Sequence, residues 1–383
     1  MWVRGINVKA KGPGLIAAVA VLVLIAGTAL AVKRIYNFKG GVKTRADKGL
    51  ATEELKPAPS QGGFFTWTYT FMLYLDDDSS GMIQFTYWKL YLKTQRGLYF
   101  SFSDKGDRLF LRKGVLSGSE TNYTENPPAL SMGPHSWKGF YPDFYLHMDF
   151  PGDEGLPEMK ADIRFHCRTP GWRPGEGPVH YGEPDGDWYD LVVMIPWADV
   201  EGTLTLNGVT RTLKGFGYSD HNTQTVFPTT QSEELMALRS FSEGHAVNFL
   251  EYIAPEDFGR ERTTWILIMK GDRILYATDQ VERQVFDLKT EGRRGYTYPT
   301  RATVRVDQPD CKLTGEIKCN KYIGALDAME ELPSFIRPFA RRFMTAPVFI
   351  RQNAVVDWHL TLPGAGVDDR FTAKGVYETV IVR

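Results

Sequence analysis

From Phe64 onward the chain is a succession of strand-length runs rich in aromatic and β-branched residues. "FFTWTYTFMLYL" and "MIQFTYWKLYLKT" are two such runs, and "DDDSSG" between them has the Asp, Ser and Gly of a turn. Further along, "LNGV" places an Asn-Gly turn between two alternating runs, which is a strong hairpin signal. The pattern predicts an all-β fold of antiparallel strands.

The strand signals fall into two halves. Residues 64–230 and 231–383 each have the usual size of one β-barrel or sandwich domain, so we predict two consecutive domains with these bounds. Residues 33–63 are predicted to be a linker, because "ELKPAPSQGG" is rich in Pro, Ser and Gly and has no periodicity.

One segment of the second half has a helical period. "YIGALDAMEELPSFIRPFARRFMTAPVF" spaces its apolar residues three or four apart, which predicts a helix that Pro333 and Pro338 should kink. Two interpretations are open. The helix packs across a barrel mouth, or it is a lid that touches a membrane through its aromatic and arginine residues.

The N-terminus carries an apolar segment. No residue from Gly14 to Val32 is charged, and a bilayer requires roughly 20 apolar residues. We expect a transmembrane anchor within residues 1–32, or a cleaved signal peptide with Ala29-Leu30-Ala31 as the cleavage site. The body is then anchored by residues 14–32 and exported, periplasmic or extracytoplasmic, although basic residues after the segment leave a cytoplasmic-facing body open.

Charge gives no sign of a nucleic-acid partner. The chain has 45 Lys and Arg against 46 Asp and Glu, for a net charge of -1. The three cysteines do not have the spacing of a zinc site. "CKLTGEIKC" could form a hairpin about Thr314-Gly315-Glu316 that brings Cys311 opposite Cys319, where they could form a disulfide. Alternatively, the two are reduced cysteines on strand faces.

A hairpin leads into the most distinctive motif, "KGFGYSDHNTQ". The stretch "PWADVEGTLTLNGVTRTLKGFGYSDHN" resembles the end of the first half in the double-lipocalin family, which includes carotenoid 1,2-hydratases, AttH-like proteins, Svf1-like survival factors and Diels–Alderase-like cyclases. The matching residues are Pro196, Trp197, Val200, Gly202, Leu204, Gly208, Gly215, Gly217, Tyr218, Asp220, His221 and Asn222. Thr223-Gln224 stands where many relatives carry Trp-Gly.

The resemblance implies a lipocalin-like (calycin) fold in each half. The fold class expected is therefore all-β, with two consecutive antiparallel lipocalin-like barrels or sandwiches, an N-terminal transmembrane or signal helix before them, and a kinked helix in the second half. Barrels of this kind hold one small apolar ligand in the interior or mouth. The partner implied is an apolar small molecule or lipid such as an isoprenoid or polyene, together with a membrane through the N-terminal segment.

The candidate catalytic residues are Asp220, His221 and Tyr218. A carboxyl buried among apolar groups keeps its proton more readily and could protonate an alkene, with His221 positioning the acid or a water. Alternatively, Asp220, His221 and Asn222 stabilise a turn through side chain to backbone hydrogen bonds. Neighbours on a regular strand also point to opposite faces, so Asp220 and His221 should not share one cavity.

Other residues are candidates for ligand contact, and no cofactor is indicated. Tryptophans in a barrel belong to the core or line the ligand site, and strands facing the other half can line an interface pocket. The candidate ligand-binding residues are Asn222, Trp88, His180, Trp197, Glu251, Tyr252 and Trp265. A metal site from His166, His180 and His221 is not favoured, since their spacing matches no ligand pattern.

Three functions remain open at this point. The chain is a membrane-tethered binder of a hydrophobic ligand, or an enzyme of the same fold acting on an apolar polyene or polyketide as a hydratase, isomerase or cyclase. In a third interpretation it is a structural or assembly protein whose barrels are filled. Fold alone does not choose among them.

Overall fold

The computed structural model describes residues 32–45, 49–105, 108–116, 120–153, 155–291, 295–327 and 347–382. The fold described here lies within one compact unit, Lys33–Arg383. Its strands are entirely antiparallel and belong to two sheets. The first sheet is drawn from residues 34–224 and the second from residues 234–382.

The first sheet has the order β5-β4-β3-β2-β13-β12-β10-β9-β8-β7-β6, with β11 joining β1 to β12. Its strands are β1 (Arg34–Tyr36), β2 (Phe64–Leu75), β3 (Ser80–Leu90), β4 (Lys93–Asp104), β5 (Arg108–Leu116), β6 (Thr121–Glu125), β7 (Pro128–Met132), β8 (His135–Phe140), β9 (Asp143–Phe150), β10 (Met159–Cys167), β11 (Val179–Gly182), β12 (Asp187–Leu206) and β13 (Val209–Gln224).

The second sheet has the order β17-β16-β15-β14-β22-β21-β20-β19-β18. Its strands are β14 (Glu234–Phe241), β15 (His245–Ile253), β16 (Arg262–Lys270), β17 (Arg273–Thr278), β18 (Glu282–Thr290), β19 (Thr297–Asp307), β20 (Lys312–Asp327), β21 (Pro347–Leu362) and β22 (Val367–Val382). The described helices are α1 (Pro228–Gln231) and the 3-10 turns Val42–Arg45, Thr52–Leu55, Glu256–Phe258 and Pro363–Ala365.

Apolar side chains form a separate core for each sheet and a third core between them. The core of the first sheet includes Phe71, Trp137 and Phe165, and that of the second includes Trp358. The third core draws on both sheets. Side chains alternate along a strand, so one face of β13 contributes to the first core and the other face to the core between the sheets.

The sequence predicted one of two hairpin turns and missed the other. The Asn207-Gly208 turn between β12 and β13 is confirmed, and both residues have the positive φ that this turn requires. In contrast, "MIQFTYWKLYLKT" is not one strand. It folds back at Tyr91-Leu92, a two-residue turn that joins Leu90 to Lys93 and lacks the usual Asn or Gly.

The expected hairpin in "CKLTGEIKC" is wrong. Residues from Lys312 onward form the continuous strand β20, paired with β19 and β21. Gly315 is needed for packing rather than for a turn, because a Cβ there would lie 2.2 Å from the Trp358 ring. Cys311 and Cys319 are accordingly both free thiols.

The predicted fold class is corrected in its helical parts. In the described part of the chain no helix is long and apolar enough to cross a membrane, and α1 has four residues. Residues 14–31, on which the N-terminal helix was expected, lie outside the described residues. The membrane partner and the localisation stay predictions.

The prediction of a kinked helix in the second half is also corrected. Both ends of the segment with a helical period are strand, because Asp327 at the end of β20 pairs with Val348 at the start of β21. Ladder pairing therefore overrides the local period at Leu326 and Phe349. The remainder of that prediction, residues 328–346, lies outside the described residues.

Candidate functional site

A cavity of about 160 Å³ lies in the core between the two sheets. One wall comes from β2, β3, β12 and β13, and the other from β14, β15 and β22, with contributions from the ends of β20 and β21. Its apolar lining includes Met72, Met82, Leu191, Leu235, Leu250 and Val380. Its polar lining includes Tyr218, Asp220, Asn222, Arg239, Tyr252 and Glu378. The site is therefore between the two halves and not inside either sheet's own core.

Strand alternation places the residues of β13. Tyr218, Asp220 and Asn222 are two residues apart, so all three face the cavity. The residues between them, Ser219 and His221, face the first core. The expectation that Asp220 and His221 would not share a cavity is thus confirmed.

An ion pair links the two walls. Arg239 on β14 places Nη2 3.4 Å from Oδ2 of Asp220 on β13, and its guanidinium lies 4.7 Å from the centre of the Tyr218 ring. The third charged residue, Glu378 on β22, lines the same cavity. These three charged side chains are all more than nine-tenths buried, with Asp220 5 %, Arg239 7 % and Glu378 8 % exposed.

Burial and this pairing act on the pKa values in opposite directions. Burial raises the pKa of Asp220 above its ordinary value, and the positive charge of Arg239 only partly offsets this. Burial alone would lower the pKa of Arg239, but Tyr218, Asp220 and Glu378 together hold it above its ordinary value. Arg239 is therefore a fixed cation, and Asp220 is a carboxyl that protonates more readily than an exposed one.

Several polar groups around the cavity form no hydrogen bond of normal geometry with a described residue. The hydroxyl of Tyr218 and Nη1 of Arg239 are both buried in this way, although the Tyr218 hydroxyl lies close enough to Asp220 and Arg239 to affect the pKa values of both. Glu378 forms no hydrogen bond or ion pair with any described residue, while lying within electrostatic reach of Asp220 and Arg239. Buried polar groups in proteins are nearly always hydrogen-bonded, so these side chains have donor and acceptor positions left for a bound molecule.

A second polar contact closes one side of the cavity. The hydroxyl of Tyr252 on β15 donates to the hydroxyl of Tyr189 on β12 at 2.7 Å, across the two sheets. Burial raises the pKa of both phenols, so both stay protonated at neutral pH. Both tyrosines line the cavity, so this pair is part of its polar wall.

His221 has a different environment from Asp220. Its ring stacks on Tyr69 at 4.0 Å between centroids, and Nε2 lies 3.3 Å from the hydroxyl of Thr223. Burial lowers its pKa to about 3, so it is neutral at physiological pH. Its Nδ1 forms no hydrogen bond of normal geometry, and a backbone interaction with Glu54 only partly offsets the effect of burial on the pKa. The histidine is a core residue of the first sheet and does not touch the Asp220 carboxyl.

The other predicted ligand-binding residues lie away from the cavity. Trp88 is partly buried near the end of β3, and His180 on β11 contacts the Gly186 carbonyl oxygen at 3.1 Å. Trp197 and Trp265 are fully buried in the core between the sheets but do not line the cavity. Glu251 points into the second half, where Arg283 and Arg262 pair with it.

Arg239 and Glu378 were missed by the sequence analysis. Each is a single charged residue in an otherwise apolar strand run, "LMALRSF" and "GVYETVIV". A charge at such a position is rarely buried unless it is paired or functional, so the pattern itself was a usable signal. The fact that they share one cavity with Asp220 required the tertiary structure.

Two further observations bear on alternatives. The described residues contain no group of three or more His, Cys, Asp or Glu side chains placed to hold a metal ion. A larger groove of about 680 Å³ lies on the outer face of β10, β12 and β13, but its arginines are paired with acids, for example Arg168 with Asp199. It offers no buried polar group comparable to those of the cavity.

The chain belongs to the Svf1 family, whose model matches residues 154–379, more than half of the sequence. The double-lipocalin resemblance is thereby confirmed. No protein among the curated sequences matches the chain.

Solved structures share the fold over nearly the whole chain. An AttH-like protein of Nitrosomonas europaea is 13 % identical, with a TM-score of 0.59, over 89 % of this chain and 98 % of that one. CghA, solved with Sch210972, is 9 % identical, with a TM-score of 0.59, over 92 % and 99 %. Kievitone hydratase of Nectria haematococca is 12 % identical, with a TM-score of 0.53, over 92 % and 98 %.

Proposed function

We propose that the protein binds a small, mainly apolar molecule with a polar end in the cavity between its two sheets. The observation that carries the proposal is a set of buried polar groups that face the cavity and form no hydrogen bond of normal geometry with a described residue. The Tyr218 hydroxyl and Arg239 Nη1 would donate to a carbonyl or hydroxyl oxygen, and Glu378 would accept from a hydroxyl or amide. A pocket that is mostly apolar with a few convergent polar groups is typical of small-molecule sites.

Cavity size limits the ligand. An apolar cavity of about 150 Å³ holds one benzene molecule, and this one measures about 160 Å³. The space therefore suits a single ring or a short branched end, and a long polyene or lipid could place only one end there. This supports a ligand whose polar end is recognised beside Asp220 and Arg239.

Catalysis by Asp220 is the second candidate. A buried carboxyl with a raised pKa, facing a cavity, could protonate an alkene and allow water addition or a double-bond shift. One solved relative is a hydratase. Arg239 opposes this role because its positive charge favours the ionised form of Asp220. His221 cannot assist, since it lies on the opposite face of β13.

Native mass spectrometry of the full-length protein tests both candidates. Wild type is compared with Tyr218→Phe, Asp220→Asn and the control Ser219→Ala, which alters the other face of the same strand. A co-purifying small molecule, retained by wild type and Ser219→Ala and reduced by Tyr218→Phe, supports binding in the cavity. A precursor that accumulates only on Asp220→Asn, with a hydrated or isomeric product on wild type, supports catalysis. Folded proteins with no ligand on any variant would contradict both and favour a structural role.

A further inference from the structure

The β3–β4 hairpin ends in an exposed apolar tip. Leu90 is 38 % exposed, Tyr91 69 % and Leu92 100 %. The apolar surface continues beside the tip, where Phe64 of β2 pairs with Leu90 and stacks on Phe227, which is 40 % exposed, at 4.4 Å between centroids. Contiguous exposed apolar groups of this kind mark an interaction surface, whereas single exposed residues do not.

The turn chemistry of the tip is unusual for this chain. Two-residue turns with positive φ favour Asn and Gly, which the chain uses at Asn207-Gly208. At the β3–β4 turn the chain places Tyr91 at a φ of 52° and follows it with Leu92. A bulky residue at positive φ is strained, and folding alone would favour a smaller polar pair. The turn therefore presents exposed apolar side chains at a position where a smaller polar pair would be less strained.

Positive charge surrounds the tip. Lys89 and Lys93 flank the three apolar residues and form no ion pair with any described residue. Residues 79–103 contain Lys89, Lys93 and Arg96 but no acid. The nearest acids along these strands, Asp78 and Asp104, lie at the opposite end, about 36 Å from Lys89 and Lys93 at about 3.3 Å per residue. That separation exceeds the screening length of about 8 Å at physiological salt.

We propose that the Leu90–Lys93 tip inserts into the surface of an anionic lipid bilayer. Leucine side chains enter the boundary between headgroups and acyl chains, tyrosine is favoured at that level, and lysines beside them attract anionic headgroups. The proposal rests on the hairpin alone. It does not depend on the cavity or on the N-terminal segment.

An environment-sensitive fluorophore at the tip tests the proposal in the full chain. The label is attached to Leu92→Cys in a Cys319→Ser background, since the other two native cysteines are buried. The control label is at Asp272→Cys, on the β16–β17 turn, whose Asp272 side chain is 89 % exposed. Vesicles of phosphatidylcholine, with or without phosphatidylserine, are then added to each protein.

A several-fold rise and a blue shift in emission are expected for the Leu92 label with phosphatidylserine vesicles only. Adding Lys89→Gln and Lys93→Gln should reduce this response by most of its size. No response at Leu92, the same response at Asp272, or an equal response to neutral vesicles would overturn the proposal. So would a shift that grows with protein concentration without vesicles, because the tip would then bind a second copy of the chain.

Discussion

Asp220 and Arg239 form an ion pair between strands of different sheets, with Oδ2 and Nη2 3.4 Å apart in the buried core that joins the two halves. Each charge is removed from water, and each depends on the other for compensation. The pair thereby links the formation of the cavity to the association of the two sheets.

Removing one partner of this pair should be strongly destabilising. Arg239→Met leaves Asp220 buried without its counter-charge, and the free energy of unfolding should fall by about 3–5 kcal/mol. The double variant Arg239→Met with Asp220→Asn should lose less than the sum of the two single losses. Urea unfolding of wild type, the two single variants and the double variant measures the coupling energy between the two side chains. Additive losses would show that the two side chains do not interact.

Gly315 should not tolerate a methyl group. A Cβ at this position would lie 2.2 Å from Cζ3 of Trp358, and such overpacking costs about 1–3 kcal/mol. Gly364→Ala is the matched control, since nothing lies within 4 Å of its added Cβ. Thermal unfolding of both variants compares them. Equal melting temperatures would mean that the Trp358 ring moves aside without cost.

His221 should make the protein less stable in acid. Its folded-state pKa of about 3 lies below the ordinary value of 6.5, so the unfolded chain binds a proton first as the pH falls. The stabilisation is complete above pH 6.5 and is lost as the pH falls towards 3. The slope of unfolding free energy against pH reaches about 1.4 kcal/mol per pH unit for one such group.

The variant His221→Phe keeps a ring against Tyr69 and cannot titrate. Its unfolding free energy, measured by denaturant titration at several pH values, should fall less steeply below pH 6.5 than that of wild type. Some dependence should remain, because burial lowers the pKa of His135 to about 4 as well. Ser219→Ala, which changes no titratable group, should retain the wild-type slope. An unchanged slope in His221→Phe would contradict a buried neutral imidazole.

All three cysteines should react as thiols after unfolding without a reductant. Cys311 and Cys319 are eight positions apart along nearly continuous strand, or about 26 Å at about 3.3 Å per residue, and a disulfide needs Cα atoms within about 7 Å. Alkylation in denaturant followed by intact mass measurement should add three labels. In the folded protein the reaction should be slow, because burial raises the thiol pKa of each to about 12. A mass with one label would reveal a disulfide.

The sequence predicted those parts of the site that depend on local alternation. Alternation along a strand predicted that Asp220 and His221 would not face the same cavity, whereas the common face of Tyr218, Asp220 and Asn222 was recognised only in the structure. Tyr252 was found because its strand was expected to face the first half. Arg239 and Glu378 were missed. They lie near Asp220 because β14 and β22, which are neighbours in the second sheet, face β13 of the first sheet, and no local pattern encodes this arrangement.

The sequence was less informative where packing overrides local preference. The Tyr91-Leu92 turn carries no Asn or Gly, so strand propensity masked it. Gly315 looked like a turn residue although the Trp358 ring covers it. At Leu326 a helical period gave way to ladder pairing with β21. In each case the deciding contact comes from a residue distant in sequence, which single-sequence patterns do not contain.

The alternating faces of β13 have a consequence for how this chain can change over evolutionary time. Deleting or inserting one residue within the strand would exchange the two sets of side chains, so that the carboxyl of Asp220 would enter the first core and the imidazole of His221 would enter the cavity. Point substitutions can change the lining of the cavity one side chain at a time. Insertions and deletions, however, are confined to the two ends of β13, near the Asn207-Gly208 turn and α1. There they leave the pairing of β13 with its neighbouring strands unchanged.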